Sequence, residues 1–253
     1  MTYIHPTAII DSGARLGESV RVGPFCIVHN NVEIGEGTRV EGYCELGVPS
    51  KLANGSPLSI GRNALIRSHS VFYESSVFGD DLVTGHRATV RENTIAGKGF
   101  QIGTLNEIQG DCTIGDYVRF QSNVFIGKKS RIGSFVWMLP YSMLTNDPTP
   151  PSDLLFGCTL EDYVVIAANA VVLPGVTVCK HAVVAACACV SKDVASGTLV
   201  AGVPAQSRGP AHRVRLRDGS GDSAYPWTKH FDRGYPLAVT AQWRAVLDDK
   251  NGA

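Results

Sequence analysis

An aliphatic residue recurs at every sixth position for most of the chain, in three registers that together cover 29 positions. The registers begin at Ile4, Ile60 and Leu160, and every position in them is apolar except Thr84. A six-residue period belongs neither to an α-helix nor to an ordinary strand. It predicts a parallel β-helix, in which each hexapeptide forms one short face and three faces close a coil of about 18 residues.

A second column of residues lies two positions before each aliphatic residue, and it is small: Ala, Ser, Thr, Val or Cys at 25 of the 29 positions. Both columns are expected to point inward, because a narrow coil holds one bulky and one small side chain per face. Glycine follows the aliphatic residue twelve times, as at Gly17 and Gly61, and we expect it to permit the backbone angles of the corners. The pattern therefore predicts an all-β solenoid with a continuous core.

Two insertions interrupt the period, between Leu46 and Ile60 and between Leu144 and Leu160. The first predicts a small surface loop. The second, TNDPTPPSDLLFGC, contains three prolines that cannot donate to a sheet, so it must project outward. Insertions in solenoids often lie on the binding face, which makes this loop a candidate site; a tolerated surface insertion is the alternative.

The repeat ends at GTLVAGVPA, so we divide the chain into a β-helix domain, 1–206, and an appendage, 207–253. A helix is predicted from Leu237 to about Asp249, with Pro236 suited to its first turn. Its apolar residues, Trp243 among them, would cover the open end of the solenoid or a neighbouring subunit. Four arginines early in the appendage form either a solvated surface or a phosphate site: Arg208, Arg213, Arg215 and Arg217.

Composition narrows the function further. Lys plus Arg equals Asp plus Glu, at 23 each, so no global field recruits nucleic acid or an anionic membrane. The first residues resemble no signal peptide, and no apolar run could span a bilayer. Seven cysteines without CxxC spacing fit a reducing compartment, and we expect a cytoplasmic protein without a metal site.

Irregularities in a clean pattern mark candidate sites. Thr84, followed by Gly85 and His86, is the polar exception in the aliphatic column, and Asn106, followed by Glu107, is the amide in the small column. Because about 18 residues complete one coil, the two irregularities should be neighbours in space. His86, Asn106 and Glu107 could form a hydrogen-bonded network that binds a polar substrate and moves a proton. Alternatively, the cluster only satisfies itself and His86 is an ordinary surface histidine.

Longer motifs carry a resemblance to known enzymes. The ending VVLPGVTV, ACVSKDV and GTLVAGVPA is similar to that of left-handed β-helix acyltransferases. The opening IHPTAIIDSGARLGESVRVGPF resembles UDP-N-acetylglucosamine O-acyltransferases. The segments TGHRATVREN, GTLNEIQG and TNDPTPPSD look most like nucleotide-sugar N-acetyltransferases, especially those acting on dTDP-3-amino-3,6-dideoxyhexoses for surface polysaccharides. The resemblance covers roughly residues 1–206.

The resemblance implies a left-handed coil, acetyl-CoA as co-substrate, and a homotrimer with active sites between subunits. Backbone N–H groups of Ala168 and Ala186 would hold the thioester arm, and Lys192 or Arg208 would meet the CoA phosphates. Ala167, Cys179, Ala185 and Cys187 stand where the family usually has glycine, which narrows the approach of the arm. The sugar side would be lined by these residues: His86, Asn106, Glu107, Asn123, Tyr141, Asn146 and Asp147.

His86 is the first candidate for a general base, with Asn146 and Asp147 as further catalytic candidates. Asn146 and His86 are about three coils and one face apart, so they can meet only through the loop or through a second subunit. An O-acyltransferase that uses acyl carrier protein is the alternative enzyme. A zinc enzyme would need three converging histidines, which His69 and His181 do not supply, and a non-catalytic binding scaffold is the remaining alternative.

Overall fold

Short strands follow one another with the six-residue period of the aliphatic positions, and each pairs in parallel with the strand one coil further on. Val83–Thr84, for example, pairs with Gln101–Ile102. The computed structural model describes residues 1–243. Its strands form three parallel sheets that wind into a left-handed β-helix of about 11 turns, which confirms the predicted fold.

We name the three sheets faces A, B and C. Face A contains Tyr3–Ile4, Arg21–Val22, Arg39–Val40, Leu65–Ile66, Val83–Thr84, Gln101–Ile102, Arg119–Phe120, Trp137–Met138, Val165–Ile166, Val183–Val184, Thr198–Ala201 and Gln206–Pro210. Face B contains Ile9–Ile10, Ile27–Val28, Glu45–Val48, Val71–Tyr73, Thr89–Val90, Glu107–Ile108, Phe125–Ile126, Met143–Leu144, Val171–Val172 and Cys189–Val190. Face C contains Arg15–Leu16, Val32–Ile34, Leu58–Ile60, Val77–Phe78, Ile95–Ala96, Thr113–Ile114, Arg131–Ile132, Thr159–Leu160 and Thr177–Val178. The last pair of face A, Thr198–Ala201 with Gln206–Pro210, is antiparallel.

The core consists of the two predicted inward columns. Ala88 and Val90, from the small and the aliphatic column, are both fully buried. Cys26, Cys44, Cys112 and Cys158 are buried in the small column, as a packing role requires. Such continuous burial of apolar surface is the main stabilising contribution to a solenoid of this kind.

Chain direction changes at three corners, named AB, BC and CA after the faces they join. The left-handed backbone angle at a corner falls on the third residue after the aliphatic position, for example Tyr43 with φ 62° and Asn123 with φ 60°. Of the twelve glycines directly after an aliphatic position, only Gly47 has a left-handed angle, with φ 84°, so the expectation that these glycines supply the angle is wrong for the other eleven. Such a glycine is required by close approach between coils: a Cβ at Gly35 would lie 2.5 Å from the carbonyl carbon of Gly61.

Both predicted insertions, over residues 49–57 and 145–158, leave the coil at the BC corner. The first folds along the corner, where the side chain of Asn93 donates a hydrogen bond of 3.0 Å to the carbonyl of Leu52. The second is closed by a hydrogen bond of 2.8 Å from the N–H of Phe156 to the carbonyl of Asn146. Function, if the insertions carry one, is therefore concentrated along one edge of the coil.

The appendage runs back along the outside of the coil. After the short 3₁₀ helices Ala211–Arg213 and Trp227–Lys229, a helix begins at 237 and continues to 243; the rest of its predicted range lies outside the described residues. Trp227, Tyr235 and Trp243 pack against aromatic residues of face A and of the CA corner. The appendage thus covers a side of its own coil, whereas we expected an open end or a neighbouring subunit. The division at 206 stays a prediction.

Arg119 fixes the appendage to face A. Its guanidinium lies 4.9 Å from the ring centroid of Trp137 and 4.0 Å from that of Tyr235, and it donates a hydrogen bond of 2.6 Å to the carbonyl of Gly234. The indole N–H of Trp137 also donates to the Tyr235 hydroxyl, at 2.9 Å. A desolvated cation between two rings is a strong contact, so this cluster ties the two segments together.

Within residues 1–243, none of the helices has the length and apolar character that a membrane span requires.

Candidate active site

His86 lies at the AB corner, in a line of residues that we call the AB column. The AB column holds the second residue after each aliphatic position at this corner: Pro6, Pro24, Gly42, Ser68, His86, Thr104, Ser122, Pro140, Ala168 and Ala186. His86 is exposed, and its Nδ1 lies 2.9 Å from the hydroxyl of Ser68, one coil earlier. Its backbone N–H donates to the hydroxyl of Thr104, one coil later, at 3.2 Å. The imidazole is therefore held on a rigid edge and open to solvent.

The predicted neighbourhood of the two irregularities is correct for the backbone but not for the side chains. Thr89 and Glu107 are paired in register, and the N–H of Leu105 donates to the carbonyl of His86. Asn106, however, is 1% exposed and points into the coil, whereas His86 and Glu107 point outward. Among residues 1–243 no hydrogen bond joins any two of the three side chains. The expected network does not form, because neighbouring positions of a strand alternate between inside and outside.

Asn106 and Thr84 instead satisfy backbone groups inside the coil. The side-chain oxygen of Asn106 accepts a hydrogen bond of 2.8 Å from the N–H of Val124, and the Thr84 hydroxyl accepts one of 2.8 Å from Arg67. Thr38, in the small column, does the same for Ala64 at 3.0 Å. Asn106 thus has the structural role of a small-column Ser or Thr, and its Nδ2 has no hydrogen-bond partner within the described part of the chain.

Three other predicted sugar-side residues lie on face B or at the AB corner. Asn123 and Tyr141 lie at the AB corner, and the Tyr141 side chain is 58% exposed. Glu107 projects from face B, next to this corner, and accepts a hydrogen bond of 2.7 Å from Gln109. The structure therefore places His86, Asn123 and Tyr141 along one edge of the coil.

Ala168 and Ala186 lie in the same AB column as His86. Four coil steps separate His86 from Ala168, or about 19 Å at about 4.8 Å per coil. Elsewhere a side chain one coil later satisfies the N–H at this kind of position, as Asp116 does for Lys98 at 2.9 Å. Ala186 offers no such acceptor to Ala168, and the N–H groups of both alanines form no hydrogen bond with any residue from 1 to 243. They are free to bind a ligand. Lys192 and Arg208 are exposed near the end of the coil.

Asp147 stabilises its own loop at the BC corner. Its carboxylate accepts hydrogen bonds from the Ser152 hydroxyl at 2.7 Å, the Ser152 N–H at 2.8 Å and the Thr149 N–H at 3.0 Å. The hydroxyl of Ser152 contributes most to holding the pKa of Asp147 below its usual range. A carboxylate with a lowered pKa is a poor proton acceptor, so Asp147 suits an orienting role. Asn146 and Asp147 do not meet His86 within one chain, as the spacing predicted.

A charged cluster at the BC corner was missed from the sequence. Glu92 is fully buried, and its carboxylate lies 3.1 Å from Arg91 and 3.8 Å from the ammonium of Lys128. Lys128 also lies 3.2 Å from Asp111. Gly110 occupies the coil between Glu92 and Lys128 and leaves room for the lysine to reach across. The signal was the spacing of 92, 110 and 128 by one coil each, which places a carboxylate and an ammonium in one column with no side chain between them.

An apolar pocket of about 250 Å³ lies between the coil and the appendage. Its walls include Trp137, Leu139 and Val165 from the coil and Trp227 and Phe231 from the appendage. Leu139 hydrogen-bonds to Ile166, so the pocket opens close to Ala167 and Ala168. Within residues 1–243 no group of three or more His, Cys, Asp or Glu side chains is arranged to hold a metal ion.

Comparisons with known proteins agree with this architecture. Residues 13–47 match the bacterial transferase hexapeptide (six repeats) family. The chain is 34% identical over 141 residues to the acyl-[acyl-carrier-protein]–UDP-N-acetylglucosamine O-acyltransferase of Bartonella tribocorum, covering 47% of this chain and 48% of that protein. It is 60% identical over 47 residues to the 2,3,4,5-tetrahydropyridine-2,6-dicarboxylate N-acetyltransferase of Staphylococcus aureus, covering 19% and 20%.

Among solved structures, the UDP-N-acetylglucosamine acyltransferase of Arabidopsis superimposes with a TM-score of 0.71 at 21% identity, covering 82% of this chain and 74% of that chain. At this identity the likeness shows the fold. The match to the bifunctional GlmU proteins of Thermotoga species covers 36% of the length of those proteins. The six-residue period and the coil show a left-handed β-helix of hexapeptide repeats, and the match over residues 13–47 is consistent with the hexapeptide-repeat acyltransferases.

Proposed function

We propose that the protein is an acetyl-CoA-dependent N-acetyltransferase that acylates the amine of a nucleotide-linked amino sugar, of the dTDP-3-amino-3,6-dideoxyhexose class. The observation that carries this proposal is the AB column, where His86 and the free N–H groups of Ala168 and Ala186 lie in one line. A donor arm lying along this line would bring its thioester to the imidazole. The names of the relatives include both N- and O-acyl transfer.

The donor arm would lie along the AB column. The N–H groups of Ala168 and Ala186 would donate to oxygen atoms near the phosphate end of the pantetheine arm, and Lys192 and Arg208 would meet the phosphates. The extended pantetheine arm would have to span the distance of about 19 Å between Ala168 and His86. Ala167 and Cys187 carry side chains where glycine would leave more space, which restricts how closely the arm approaches.

The chemistry is direct transfer without a covalent enzyme intermediate. The amine nitrogen attacks the thioester carbon, the carbonyl oxygen takes the electron pair, and the carbon–sulfur bond then breaks to release CoA as a thiolate. The N–H of Thr104, one coil from His86, has no partner among the described residues and would stabilise the oxyanion. His86, oriented by Ser68, would accept the proton of the amine and pass it to the thiolate. Holding both substrates in line supplies much of the rate.

The acceptor would lie between two subunits of a homotrimer. Glu107, Asn123 and Tyr141 would contact the sugar from the subunit that contributes His86, and Asn146 and Asp147 would come from a neighbour. The outward row of face B supports such an assembly, since it is largely apolar and includes Ile9, 58% exposed, and Met143, 36% exposed. Exposed apolar surface of this extent marks an interaction site.

A longer acyl chain on a hydroxyl acceptor is the second candidate. The apolar pocket beside Leu139 and Val165 favours it, because an acetyl group would leave such a pocket unused. The resemblance of the N-terminal segment to O-acyltransferases points the same way. This reading would make His86 indispensable, because a hydroxyl is a weaker nucleophile than an amine and needs a base.

A donor comparison decides between the two. Purified protein is given acetyl-CoA or a 3-hydroxyacyl carrier protein, each with dTDP-3-amino-3,6-dideoxyhexose or UDP-N-acetylglucosamine, and products are identified by mass. We expect transfer from acetyl-CoA to the amine. Transfer only from the carrier protein to the hydroxyl acceptor would replace our proposal with the second candidate. Absence of transfer and of CoA binding would favour the scaffold reading.

A further inference from the structure

A groove on the first coils lies next to His86 and outside the sites described so far. It has a volume of about 580 Å³ and lies between the outer row of face A and the AB corner. Gly42 separates Pro24 from Ser68 in the AB column, and because glycine has no side chain the groove is deep at this point. The walls differ in chemistry: one is aromatic and the other is cationic.

The aromatic wall is a ladder of stacked rings at the corner. Phe25 and Tyr43 stack with centroids 5.0 Å apart, and Tyr43 and His69 with centroids 4.9 Å apart and an interplanar angle of 10°. Phe25 and Tyr43 are each 53% exposed. Tyr43 and His69 line the groove, and because Phe25 and His69 cover both faces of the Tyr43 ring, a flat aromatic ligand would pack against the ring edges of the ladder.

The cationic wall comes from face A. Arg21 and Arg39 are directly paired in register, so both guanidinium groups project from the same face one coil apart. Glu41 is shared between Arg39 at 3.9 Å and Arg67 at 3.6 Å, and Arg21 forms no ion pair within the described residues. Arg21 and Arg39 line the groove, and Arg67 borders it through Glu41. Three guanidinium groups with one carboxylate among them leave excess positive charge, which suits a doubly charged diphosphate.

Ser68 connects the groove to the candidate base. It lines the groove and lies 2.9 Å from Nδ1 of His86. Tyr43 and His86 are two coil steps apart, or about 10 Å at about 4.8 Å per coil. Arg39 lies on the same coil as Tyr43, and Arg67 lies one coil closer to His86, so a ligand with its base against Tyr43 and its diphosphate along Arg39 and Arg67 would present its far end at His86.

We propose that this groove binds the nucleoside diphosphate portion of the acceptor. The proposal rests on the proposed function, in which the acceptor amine must reach His86. An aromatic base that carries phosphates could also belong to CoA. In CoA, however, the base is a whole pantetheine arm away from the reacting carbon, whereas in a nucleotide sugar the diphosphate is bonded directly to the sugar that reacts. The short path from the groove to His86 fits the nucleotide sugar.

Binding is tested without any acyl donor. Calorimetric titration with dTDP, UDP and adenosine 3′,5′-bisphosphate is carried out on the full chain and on the variants Arg21→Gln, Tyr43→Leu and Arg15→Gln. Arg15 is the matched control, an exposed arginine of the first coils that projects from face C and pairs with Glu33. Arg21→Gln should weaken dTDP or UDP binding by about tenfold or more. Tyr43→Leu should also weaken it, and Arg15→Gln should not.

Unchanged dTDP and UDP affinity in Arg21→Gln and Tyr43→Leu would overturn the inference, and so would a loss confined to adenosine 3′,5′-bisphosphate. Failure of this inference is distinguishable from failure of the proposed function. If the groove variants lose dTDP affinity but the protein acetylates no amino sugar, the groove proposal stands and the N-acetyltransferase proposal fails. If the protein acetylates the amino sugar and Arg21→Gln leaves the KM for the nucleotide sugar unchanged, the N-acetyltransferase proposal stands and the groove proposal fails.

Discussion

The hydroxyl of Ser68 lies 2.9 Å from Nδ1 of His86, one coil apart in the same column of one corner. A neutral imidazole has one donor and one acceptor nitrogen, so a partner at Nδ1 determines what Nε2 can do. If Ser68 accepts from Nδ1, Nε2 is left to accept a proton from the acceptor amine. This pair distinguishes His86 from a histidine with no defined orientation.

His86→Ala should lower kcat by about a hundredfold or more if the imidazole is a general base. Ser68→Ala should have a smaller effect, because it removes only the orienting contact. His212→Ala, an exposed histidine of the appendage, is the control and should leave kcat unchanged. Steady-state kinetics measures all three. Near-normal turnover in His86→Ala would reject the base and leave the amine to react unaided.

Ala168→Pro tests the donor site. The AB column already contains Pro6, Pro24 and Pro140, so proline fits the backbone at this position while it removes the N–H. The KM for acetyl-CoA should rise by about tenfold, since an oxygen atom of the donor arm loses its hydrogen-bond partner. Ala168→Ser keeps the N–H and should bind normally. Equal KM values for wild type and Ala168→Pro would contradict a donor arm along this column.

Asn106 should prove structural. Asn106→Ser retains an acceptor for the N–H of Val124 and removes the unpaired buried amide nitrogen, so stability should be maintained or increased. Asn106→Ala leaves that N–H unpaired and should cost about 1–3 kcal/mol. Denaturant midpoints measure the difference. The KM of Asn106→Ser for the nucleotide sugar should not change; a large increase would mean that the amide does contact substrate.

The contact between appendage and coil should fail at high pH. Burial raises the pKa of Tyr235 to about 12, above the usual value of about 10. The phenol is therefore favoured in the folded state: the contribution of Tyr235 to stability is complete below pH of about 10 and is lost as the pH rises through about 12. All three tryptophans, Trp137, Trp227 and Trp243, lie in this cluster, so their fluorescence should shift over that range.

Arg119→Met provides the matched variant for this transition. It removes the cation between Trp137 and Tyr235 and should expose the tryptophans already at neutral pH. The circular dichroism of the coil should remain, since Arg119 projects outward from face A. Unchanged tryptophan fluorescence in Arg119→Met, or in wild type through pH of about 12, would contradict the conclusion that Arg119 and Tyr235 hold the appendage on the coil.

The sequence predicts the fold well because the six-residue period is set by local geometry. The inward positions of Ala88 and Val90, and the insertions at 49–57 and 145–158, follow from counting. The repeat is a poorer guide to which side chains share a site: it places Asn106 and Glu107 next to each other, but neighbouring positions of a strand point to opposite sides. The column of Glu92, Gly110 and Lys128 could have been found by the same coil arithmetic.

The packing of the appendage could not be predicted in this way. Trp137 and Arg119 occupy outward positions of face A that look like ordinary surface residues in the repeat. Only tertiary contact with Tyr235 and Gly234, more than 90 residues away in sequence, shows why Arg119 is buried and Trp137 half-buried. No periodic signal links segments that far apart when one of them is irregular.

Release of free thiol from acetyl-CoA tests the central claim most directly. The rate is measured with dTDP-3-amino-3,6-dideoxyhexose and with the same sugar nucleotide carrying a hydroxyl in place of the amine. We predict thiol release that requires the amine, with one acetyl group gained per thiol, and little release with the hydroxyl compound. Equal rates with both compounds, or no release above a blank without protein, would contradict an N-acetyltransferase on this coil.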